Sequence, residues 1–357
     1  MRIGIIGCGK VAPLHAQALR GIPETRLTSA FDADPSRALS FAAKYGATAF
    51  NQLRPMLATV DVAIVCTPHP LHLEAVLAAA DAGVSVLVEK PLASTLIDCD
   101  RMIEAAERAG ITLGVVSQRR FVGPVQRMKR AIEEGKIGAP VLGTMMMLSW
   151  RDEAYYRSDP WRGTWKGEGG GVLINQSPHQ LDILLWLMGP LAEVSAVWGN
   201  VNHPYIEVED TAVASLRFHS GALGSITTSV SQKPGIYTKV HVHGSNGYSV
   251  GVQTDTGATF VAGMSGIAEP PFNDVWTVPG EEACLEQWKA EDRERLGGLD
   301  MTVHYHRLQL ENFLQALHER REPLVTARDG RAVVALVDAI YRSWNERRYI
   351  SLPISAV

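Results

Sequence analysis

The sequence predicts an α/β fold of two domains: a doubly wound parallel sheet, then an α+β domain with a large open sheet that is mostly antiparallel. Three observations predict it. The chain has 357 residues, more than a single hydrophobic core usually holds. Short apolar segments alternate with amphipathic ones over about the first 120 residues, as is typical of parallel strands joined by crossover helices. Alternating segments separated by hairpin turns then dominate the middle of the chain.

The N-terminal part divides into strand candidates with helix candidates between them. The predicted strands are Arg2 to Ile6, Arg26 to Phe31, Asp61 to Cys66, Val84 to Val88 and Ile111 to Val116. The predicted helices are Val11 to Leu19, Pro35 to Tyr45, Leu71 to Ala82 and Leu96 to Ala109. Gly83 and Gly110 each follow a helical pattern, where a glycine commonly ends a helix.

The β-rich part begins after one more predicted helix, Pro124 to Glu134. Its strand candidates are Val141 to Trp150, Glu193 to Val201, Thr211 to Phe218, Ala222 to Val230 and Tyr237 to His243. The hairpin turns are His219-Ser220-Gly221 and Ser245-Asn246-Gly247. Residues 300–345 return to a helical pattern, with Pro323 and Gly330 marking a break. We predict domains at 1–121 and 122–357, with the helices of 300–345 packing back toward the first domain.

Composition and charge exclude several classes of function. The net charge of -4, with 46% hydrophobic and 20% charged residues, is that of a globular protein without a broad basic surface for nucleic acid. No apolar run approaches the roughly 20 residues of a membrane-spanning helix, and the N-terminal run is too short for a signal peptide. The cysteines, Cys8, Cys66, Cys99 and Cys284, lack CxxC spacing. We expect a soluble cytoplasmic protein without disulfides, and without nucleic-acid or membrane partners.

A GxGxxA motif closes the first predicted strand and opens the first helix. In such a motif the first glycine permits a tight turn, and the second lets a pyrophosphate approach the backbone. The small last residue lets the helix pack closely on the sheet, and the phosphates lie at the positive helix N-terminus. The motif therefore predicts a dinucleotide-binding Rossmann domain, with the cofactor held by Gly7, Gly9, Lys10, Val11 and Ala12.

Asp32 lies 20 residues past Ala12, at the end of the second predicted strand. Its carboxylate suits a ribose 2′-hydroxyl and repels a 2′-phosphate, so NAD is favoured over NADP. Asp34 adds to that repulsion. Two alternatives stay open: Asp32 caps the helix that begins near Pro35, or Arg37 holds a phosphate.

Three further segments accompany this fingerprint. They are Cys66-Thr67-Pro68-His69-Pro70-Leu71-His72, Glu89-Lys90-Pro91, and Gly169-Gly170-Gly171-Val172-Leu173 leading to His179-Gln180-Leu181-Asp182. With them the whole chain resembles the Gfo/Idh/MocA family of oxidoreductases, which includes inositol, glucose-fructose and related sugar dehydrogenases. The resemblance implies a Rossmann domain followed by an α/β domain with a large open sheet, in agreement with the pattern of strands and helices.

The turn at Thr67 and Pro68 follows the predicted strand that ends at Cys66, and ligands of open α/β sheets bind outside such strand ends. By resemblance this turn lies against the cofactor. His69 stands where the family often has an asparagine; we place it with the cofactor residues, but its specific role stays open. His72 either contacts the cofactor or packs within the following helix.

Lys90 ends the next predicted strand, beside the same crevice. A partly desolvated lysine has a lowered pKa and can exchange a proton with a substrate hydroxyl, whereas most lysines at strand ends are solvated charges. The resemblance gives Lys90 a catalytic or substrate-orienting role, and we place Glu89 at the cofactor. The Lys90–Pro91 peptide is commonly cis in the family.

Asn175 and His179 are four residues apart and share a helix face if both lie in helical turns. The family usually has an aspartate at the first position, bracketing the reacting carbinol with the histidine and the lysine. Asn175 cannot accept a proton but can orient a hydroxyl. We therefore assign the proton chemistry to His179 and Lys90, and expect Asp182 to fix the helix.

The segment from Tyr155 to Trp165 is rich in aromatic residues and arginine. Aromatic faces stack on sugars and guanidinium groups bind hydroxyls or carboxylates, but such a loop can also be anchored by buried tryptophans. By resemblance, Trp161 and Arg162 lie near the nicotinamide and the substrate. We add Trp165 and Arg119 to the substrate residues and Gln118 to the cofactor residues. Arg120, or its neighbour, is an alternative partner for an acidic residue.

No metal site is predicted, because His241, His243, His304 and His306 lack carboxylate or cysteine partners at ligand spacing, and hydride transfer needs no metal. Tyr305 is a candidate pocket residue only. The predicted function is NAD-dependent hydride transfer to or from a secondary hydroxyl of a sugar or polyol. An NAD-dependent glycosidase or lyase and a non-catalytic NAD sensor are the alternatives. As is common in the family, we expect a homodimer or homotetramer.

Overall fold

The computed structural model describes residues 1–256, 259–261, 264–266 and 270–353, with side chains described outside 255–269. The described chain forms two compact units. The first contains Met1–Gln118 and Thr302–Val334, and the second contains Arg119–Met301 together with 335–353. Each unit is built around its own sheet.

The sheet of the first unit is wholly parallel and, within the described residues, has six strands in the order β3-β2-β1-β4-β5-β6. The strands are β1 (Arg2–Ile6), β2 (Arg26–Phe31), β3 (Thr48–Phe50), β4 (Val62–Val65), β5 (Ser85–Val88) and β6 (Leu113–Val115). This order reverses direction at β1 and β4, where dinucleotides bind in doubly wound sheets. The predicted Rossmann-type fold is confirmed.

Capping residues define the ends of two helices of this unit. The helices are α1 (Ala12–Leu19), α2 (Pro35–Tyr45), α3 (Leu53–Leu57), α4 (His72–Asp81) and α5 (Leu96–Ala109). The Asp34 side chain caps α2 and the Thr95 side chain caps α5, while Gly46 and Gly110 end the same helices with φ of 75° and 66°. The short β3 and α3 were not predicted, because three and five residues are too few for a pattern to repeat.

The second unit holds the large sheet, which among the described residues has eight strands in the order β15-β12-β11-β7-β10-β9-β8-β16. The strands are β7 (Pro140–Leu148), β8 (Leu191–Gly199), β9 (Thr211–Phe218), β10 (Leu223–Ser229), β11 (Tyr237–Gly244), β12 (Ser249–Thr256), β15 (Phe272–Trp276) and β16 (Ile350–Ser351). Neighbours pair antiparallel except β7 with β10. The predicted mostly antiparallel sheet is confirmed. β13 (Thr259–Val261) and β14 (Met264–Gly266) form a separate pair.

Helices lie before, between and after the long strands of this sheet in the chain, and Gly123–Glu133, Pro178–Met188 and Cys284–Leu296 pack against it. The helices are α6 (Gly123–Glu133), α7 (Glu153–Arg157), α8 (Trp165–Glu168), α9 (Pro178–Met188) and α10 (Cys284–Leu296). A 3₁₀ turn, Gln118–Phe121, precedes α6, and a π-helical turn, Val172–Gln176, precedes α9. Along β9, Ala212, Ala214, Leu216 and Phe218 are buried and the residues between them face away, the period of two that a sheet covered on one face requires.

The last two helices are α11 (Met301–Glu319) and α12 (Ala327–Glu346). The predicted break between them contains Pro323, but the expectation that Gly330 also marks it is wrong, because Gly330 lies inside α12. A Cβ atom at Gly330 would lie 2.8 Å from Val115 Cγ1 and 3.0 Å from Leu92 Cβ, so glycine permits close packing there. In the part of the chain that the structure describes, no helix combines the length and apolar character needed to cross a bilayer.

Candidate active site

The loop after β1 turns sharply at Gly7, whose φ is +90°. A Cβ atom on Gly7 would lie 2.8 Å from both the Cys66 carbonyl carbon and the Thr67 nitrogen, so only glycine fits between the loops that follow β1 and β4. The Gly7 N–H donates to the Phe31 carbonyl oxygen at 2.8 Å, which ties this turn to the end of β2. The ends of β1, β2 and β4, at one edge of the sheet, therefore meet at the GxGxxA motif.

The start of α1 has the features that a bound dinucleotide requires. A Cβ atom on Gly9 would meet no heavy atom within 4 Å, so the loop is open on the side where a pyrophosphate would approach the backbone. Val11 at the N-cap makes no side-chain capping bond. In the first turn Pro13 has no N–H and the Leu14 N–H donates to the Val11 carbonyl oxygen at 2.9 Å, so the donors that the helix start offers to an anion are the N–H groups of Val11 and Ala12. Ala12 is fully buried. The residues present therefore fit a dinucleotide.

Asp32 stabilises the loop after β1 by hydrogen bonding. Its Oδ2 accepts a hydrogen bond from the Cys8 N–H at 2.7 Å, and its Oδ1 accepts one from the Asp34 N–H at 2.9 Å. The cap of α2 is Asp34, which accepts from the Ser36 N–H at 2.9 Å, so the alternative that Asp32 caps this helix is excluded. Burial and the Asp32 charge raise the pKa of the Cys8 thiol to about 12.

His72 joins the loop after β4 to the loop after β5. The ring is fully buried, with Nε2 3.0 Å from the Thr67 carbonyl oxygen and Nδ1 3.0 Å from that of Pro91. Burial lowers the pKa of His72, against the opposing effect of these carbonyl groups. Both ring nitrogens are used within the protein, so His72 positions the two loops. The buried His69 ring lies 5.9 Å from the His72 ring.

Two buried polar atoms, on residues that follow β4 and β6 of the parallel sheet, suit a ligand. Within the described part of the chain, Thr67 Oγ1 and Gln118 Oε1 have no hydrogen-bond partner in the protein. A buried oxygen without a partner is costly, and a bound molecule with donor groups would satisfy it. Both residues were predicted to contact the cofactor, and these atoms provide the physical reason.

Glu89 and Lys90 follow β5 at the same sheet edge. Glu89 is buried, and its Oε1 lies 2.7 Å from His15 Nε2, while its Oε2 accepts from the Lys90 N–H at 3.2 Å. Burial alone raises the pKa of Glu89, but the hydrogen bond from His15 and the charges of His15, His306 and Lys90 outweigh it and lower the pKa to about 2. Lys90 is half-buried, and the expected cis peptide bond to Pro91 is present.

In the second unit, the glycine run packs tightly rather than forming a flexible loop. A Cβ atom on Gly170 would lie 2.1 Å from the Tyr341 hydroxyl, and one on Gly171 would lie 1.9 Å from the Glu209 carbonyl oxygen. The fully buried Glu209 carboxylate accepts from the N–H groups of Gly171 and Leu173 at 2.9 Å each and from the Tyr341 hydroxyl at 2.9 Å. Burial raises the pKa of Glu209 to about 7, despite these bonds.

This run leads into the π-helical turn that carries Asn175, and α9 then carries His179. The Asn175 amide donates to the Tyr155 hydroxyl at 3.0 Å and also to the fully buried Glu168 carboxylate. Glu168 accepts from the Gly163 N–H at 2.6 Å. The carboxylate that lies beside the Asn175 amide therefore belongs to Glu168. His179 is half-buried.

Tyr155 lies at the centre of the aromatic segment. Its hydroxyl also receives hydrogen bonds from Gln176 at 3.0 Å and from the Arg162 guanidinium, which lies 4.3 Å from the Tyr155 ring centre and 4.6 Å from that of Trp161. Trp161 and Arg162, both predicted site residues, are therefore stacked together. Trp165 is an exposed side chain, and its ring centre lies 5.7 Å from that of Trp198 and 5.4 Å from that of Tyr341.

The two arginines after Gln118 have different partners. Arg120 forms a buried, bidentate ion pair with Asp182, through Nε at 2.7 Å and Nη2 at 2.5 Å. Arg119 is also buried and donates to the Thr254 carbonyl oxygen at 3.1 Å. The alternative that one arginine pairs with an acid therefore holds for Arg120, and Asp182 fixes α9.

Sequence reasoning missed His15, Glu168, Glu209 and Tyr341 as parts of these arrangements. It also missed the carboxylates beside two histidines, since Asp274 lies 3.0 Å from His241 and Glu89 lies 3.8 Å from His306. These pairs are remote in the chain, so spacing does not reveal them. His243 contacts Ser249, and Tyr305 is a buried core residue.

Comparison with known proteins gives a family match for each of the two parts of the chain. Residues 1–117 match the model of an oxidoreductase family with an NAD-binding Rossmann fold, and residues 125–250 match the Gfo/Idh/MocA C-terminal domain. The myo-inositol 2-dehydrogenase of Thermotoga maritima is 33% identical over 69% of this chain and 74% of its own length. The inositol 2-dehydrogenase of Rhizobium meliloti is 26% identical over 99% of each chain.

Solved structures have the same fold as this chain over nearly its whole length. The WlbA dehydrogenase of Bordetella pertussis, in complex with NADH and UDP-GlcNAcA, is 31% identical and matches with a TM-score of 0.87 over 99% of this chain and 98% of its own. The chain thus belongs to the Gfo/Idh/MocA family of oxidoreductases, and residues 1–117 form the NAD-binding Rossmann fold of that family.

Proposed function

We propose that this oxidoreductase transfers a hydride between NAD and a secondary hydroxyl of a sugar, a sugar derivative or a cyclic polyol, with Lys90 and His179 handling the proton. The observation that carries the proposal is the placement of Lys90 at the end of β5, on the same sheet edge as the Gly7 loop after β1. We further propose that residues 1–121 bind NAD and that 122–357 bind the substrate.

The cofactor contacts follow from the first unit. The N–H groups at the start of α1 bind the pyrophosphate, and the Asp32 carboxylate accepts hydrogen bonds from the adenosine ribose hydroxyls. The buried side-chain oxygens of Thr67 and Gln118 accept hydrogen bonds from the cofactor. When bound, the nicotinamide ring supplies the hydride acceptor. The remaining proposed contacts are Lys10, Pro68, His69, Glu89, Trp161 and Arg162, while His72 acts by holding two of these loops.

The proton chemistry is assigned to three side chains. The Lys90 ammonium donates a hydrogen bond to the substrate oxygen, and the His179 imidazole accepts the hydroxyl proton. Asn175, which cannot accept a proton, orients the hydroxyl, and Glu168 and Tyr155 hold its amide group in place. Arg119, Arg162 and Trp161 provide donors and an aromatic face for the rest of the sugar, and Trp165 shapes the loop from outside.

The test uses purified wild type, Lys90→Ala, His179→Ala and, as a control, His219→Ala, whose side chain is exposed on a hairpin. A panel of polyols and sugars is assayed for NADH formation, with NAD and NADP in parallel. We expect each site variant to lose roughly 100-fold or more in kcat while NADH binding, followed by fluorescence, changes less than about threefold. Unchanged turnover in His179→Ala would refute its role.

The same assay separates the alternatives. Release of sugar from glycosides without net NADH indicates a glycosidase that oxidises its substrate transiently. NADH binding with neither product indicates a sensor. Both outcomes contradict the dehydrogenase proposal.

We also propose that the chain forms a homodimer or homotetramer through the uncovered face of the large sheet. Val197, Val213, Thr227 and Met146 are directly paired across β8, β9, β10 and β7 and form one row on that face. The three apolar members of this row are between 37 and 49% exposed, and a second copy would bury them. Light scattering after gel filtration tests this, since Val213→Glu should lower the mass to that of a smaller species.

A further inference from the structure

Three buried side chains from separate elements meet beneath the Lys90 loop. His15 from α1, Glu89 from the end of β5 and His306 from α11 are 1, 7 and 5% exposed. The His15 Nε2 to Glu89 Oε1 distance is 2.7 Å, the His306 Nε2 to Glu89 Oε1 distance is 3.8 Å, and the two imidazole rings meet edge to face with centres 5.1 Å apart. We call this group the His15–Glu89–His306 cluster.

Two histidines and a carboxylate are also a common metal-binding set, and these ligand atoms all lie within 4.8 Å of one another. The distances favour a hydrogen-bonded network instead. Two ligand atoms on one tetrahedral zinc ion are roughly 3.3 Å apart, because each lies about 2.1 Å from the metal. The 2.7 Å between His15 and Glu89 is a hydrogen-bond distance and is too short for that arrangement.

The cluster holds both oxygens of Glu89. Oε1 accepts from His15, and Oε2 accepts from the Lys90 backbone N–H at 3.2 Å. His306 donates from Nδ1 to the Thr302 carbonyl oxygen at 2.7 Å, so its Nε2 attracts Glu89 only when the ring carries a second proton. An ionised Glu89 is therefore held by histidines on one side and by the Lys90 backbone on the other.

We propose that His15 and His306 are positioning residues for hydride transfer, because they hold Glu89 where it fixes Lys90 against the substrate hydroxyl. This inference rests on the proposed role of Lys90. Among the described residues, His72 and the half-buried Cys66 also interact electrostatically with Glu89. Electrostatic interaction is reciprocal, so the Lys90 charge that lowers the pKa of Glu89 is in turn stabilised as an ammonium by Glu89.

The first experiment needs no substrate. Lys90 acetylation by acetic anhydride at pH 8 is followed by mass spectrometry of the Lys90 peptide in wild type, His15→Ala, His15→Gln, His306→Gln and the control His318→Ala, an exposed position on α11. Loss of the His15 bond releases Glu89 from the Lys90 backbone, so the loop opens more often and the Lys90 amine is more accessible to the reagent. We expect acetylation roughly threefold faster in His15→Ala. In His15→Gln, whose amide donates to Glu89, and in His318→Ala, it should equal that of the wild type.

The second experiment separates kcat from KM. His15→Ala should lower kcat roughly 10- to 100-fold with little change in the KM for NAD, and His15→Gln should recover most of it. If Lys90 is acetylated at the same rate in wild type and in His15→Ala, the positioning role is overturned even if the enzyme is active.

If the rate of Lys90 acetylation changes in His15→Ala but the wild type is inactive, only the proposed reaction is overturned. If His15→Ala fails to fold, His306→Gln provides the same two measurements, and stoichiometric zinc, iron or nickel in the purified protein overturns the hydrogen-bonded network.

Discussion

Replacing Gly171 by alanine tests whether tight packing of the glycine run holds Asn175 in place. The added Cβ would lie 1.9 Å from the Glu209 carbonyl oxygen, whereas real contacts of this kind are at least 3.0 Å. The backbone must therefore move by about 1.1 Å, the difference between those two distances. The Gly171 N–H bond to the Glu209 carboxylate, now 2.9 Å, and the start of the π-helical turn move with it.

Overpacking of this size costs about 1–3 kcal/mol, which lowers the Tm by roughly 2–12 °C for a domain of this size. Displacement of Asn175 by about an ångström should also lower kcat by roughly 10-fold or more. Thermal unfolding and steady-state kinetics measure the two effects. Gly199→Ala is the matched control, because a Cβ atom there meets no atom within 4 Å. Wild-type Tm and wild-type kcat in Gly171→Ala would refute the argument that packing of this run positions Asn175.

Further predictions concern the ion pair, acid stability and the cofactor. Arg120→Ala leaves the buried Asp182 charge without its partner and should destabilise the protein by about 3–5 kcal/mol in urea unfolding, more than the double variant Arg120→Met/Asp182→Leu. Burial raises the pKa of Asp210, but hydrogen bonds from His203 and the Val201 and Asn202 N–H groups lower it to about 2. This stabilisation is complete above the unfolded pKa of about 4 and is lost as pH falls toward 2, so acid unfolding should be less pH-dependent in Asp210→Asn over that range. Asp32→Ser should weaken NAD binding and bring the affinities of the protein for NAD and NADP closer together. An unchanged ratio of the two affinities contradicts the assigned contact between Asp32 and the ribose.

The first domain could be predicted almost element by element. β1, β2, α2 and α5 have the predicted bounds, because their caps and apolar periods lie in the local sequence. β12, β15 and α10 were missed, since pairing and burial in the folded protein define them more than periodicity does. Gly330 was misassigned because its close neighbours, Val115 and Leu92, lie more than two hundred residues away in the chain.

The candidate site divides in the same way. Motifs identified Gly7, Asp32, Lys90 and His179 as candidate site residues, because the chemistry proposed for each depends on residue type at a fixed spacing. The residues that hold them came from the structure, since contacts such as His15 with Glu89 join distant parts of the chain. Spacing identifies groups that act directly on ligands more readily than the groups that orient them.

The π-helical turn has a consequence for comparing this chain with its relatives. The Ser177 N–H donates to the Val172 carbonyl oxygen at 2.9 Å, five residues back, so this turn holds one more residue than an α-helical turn. A relative with a one-residue deletion here would place a different side chain at the position of Asn175, although an alignment with a gap nearby would still match the histidine that corresponds to His179. Functional equivalence in this segment therefore depends on the length of one turn as much as on residue identity.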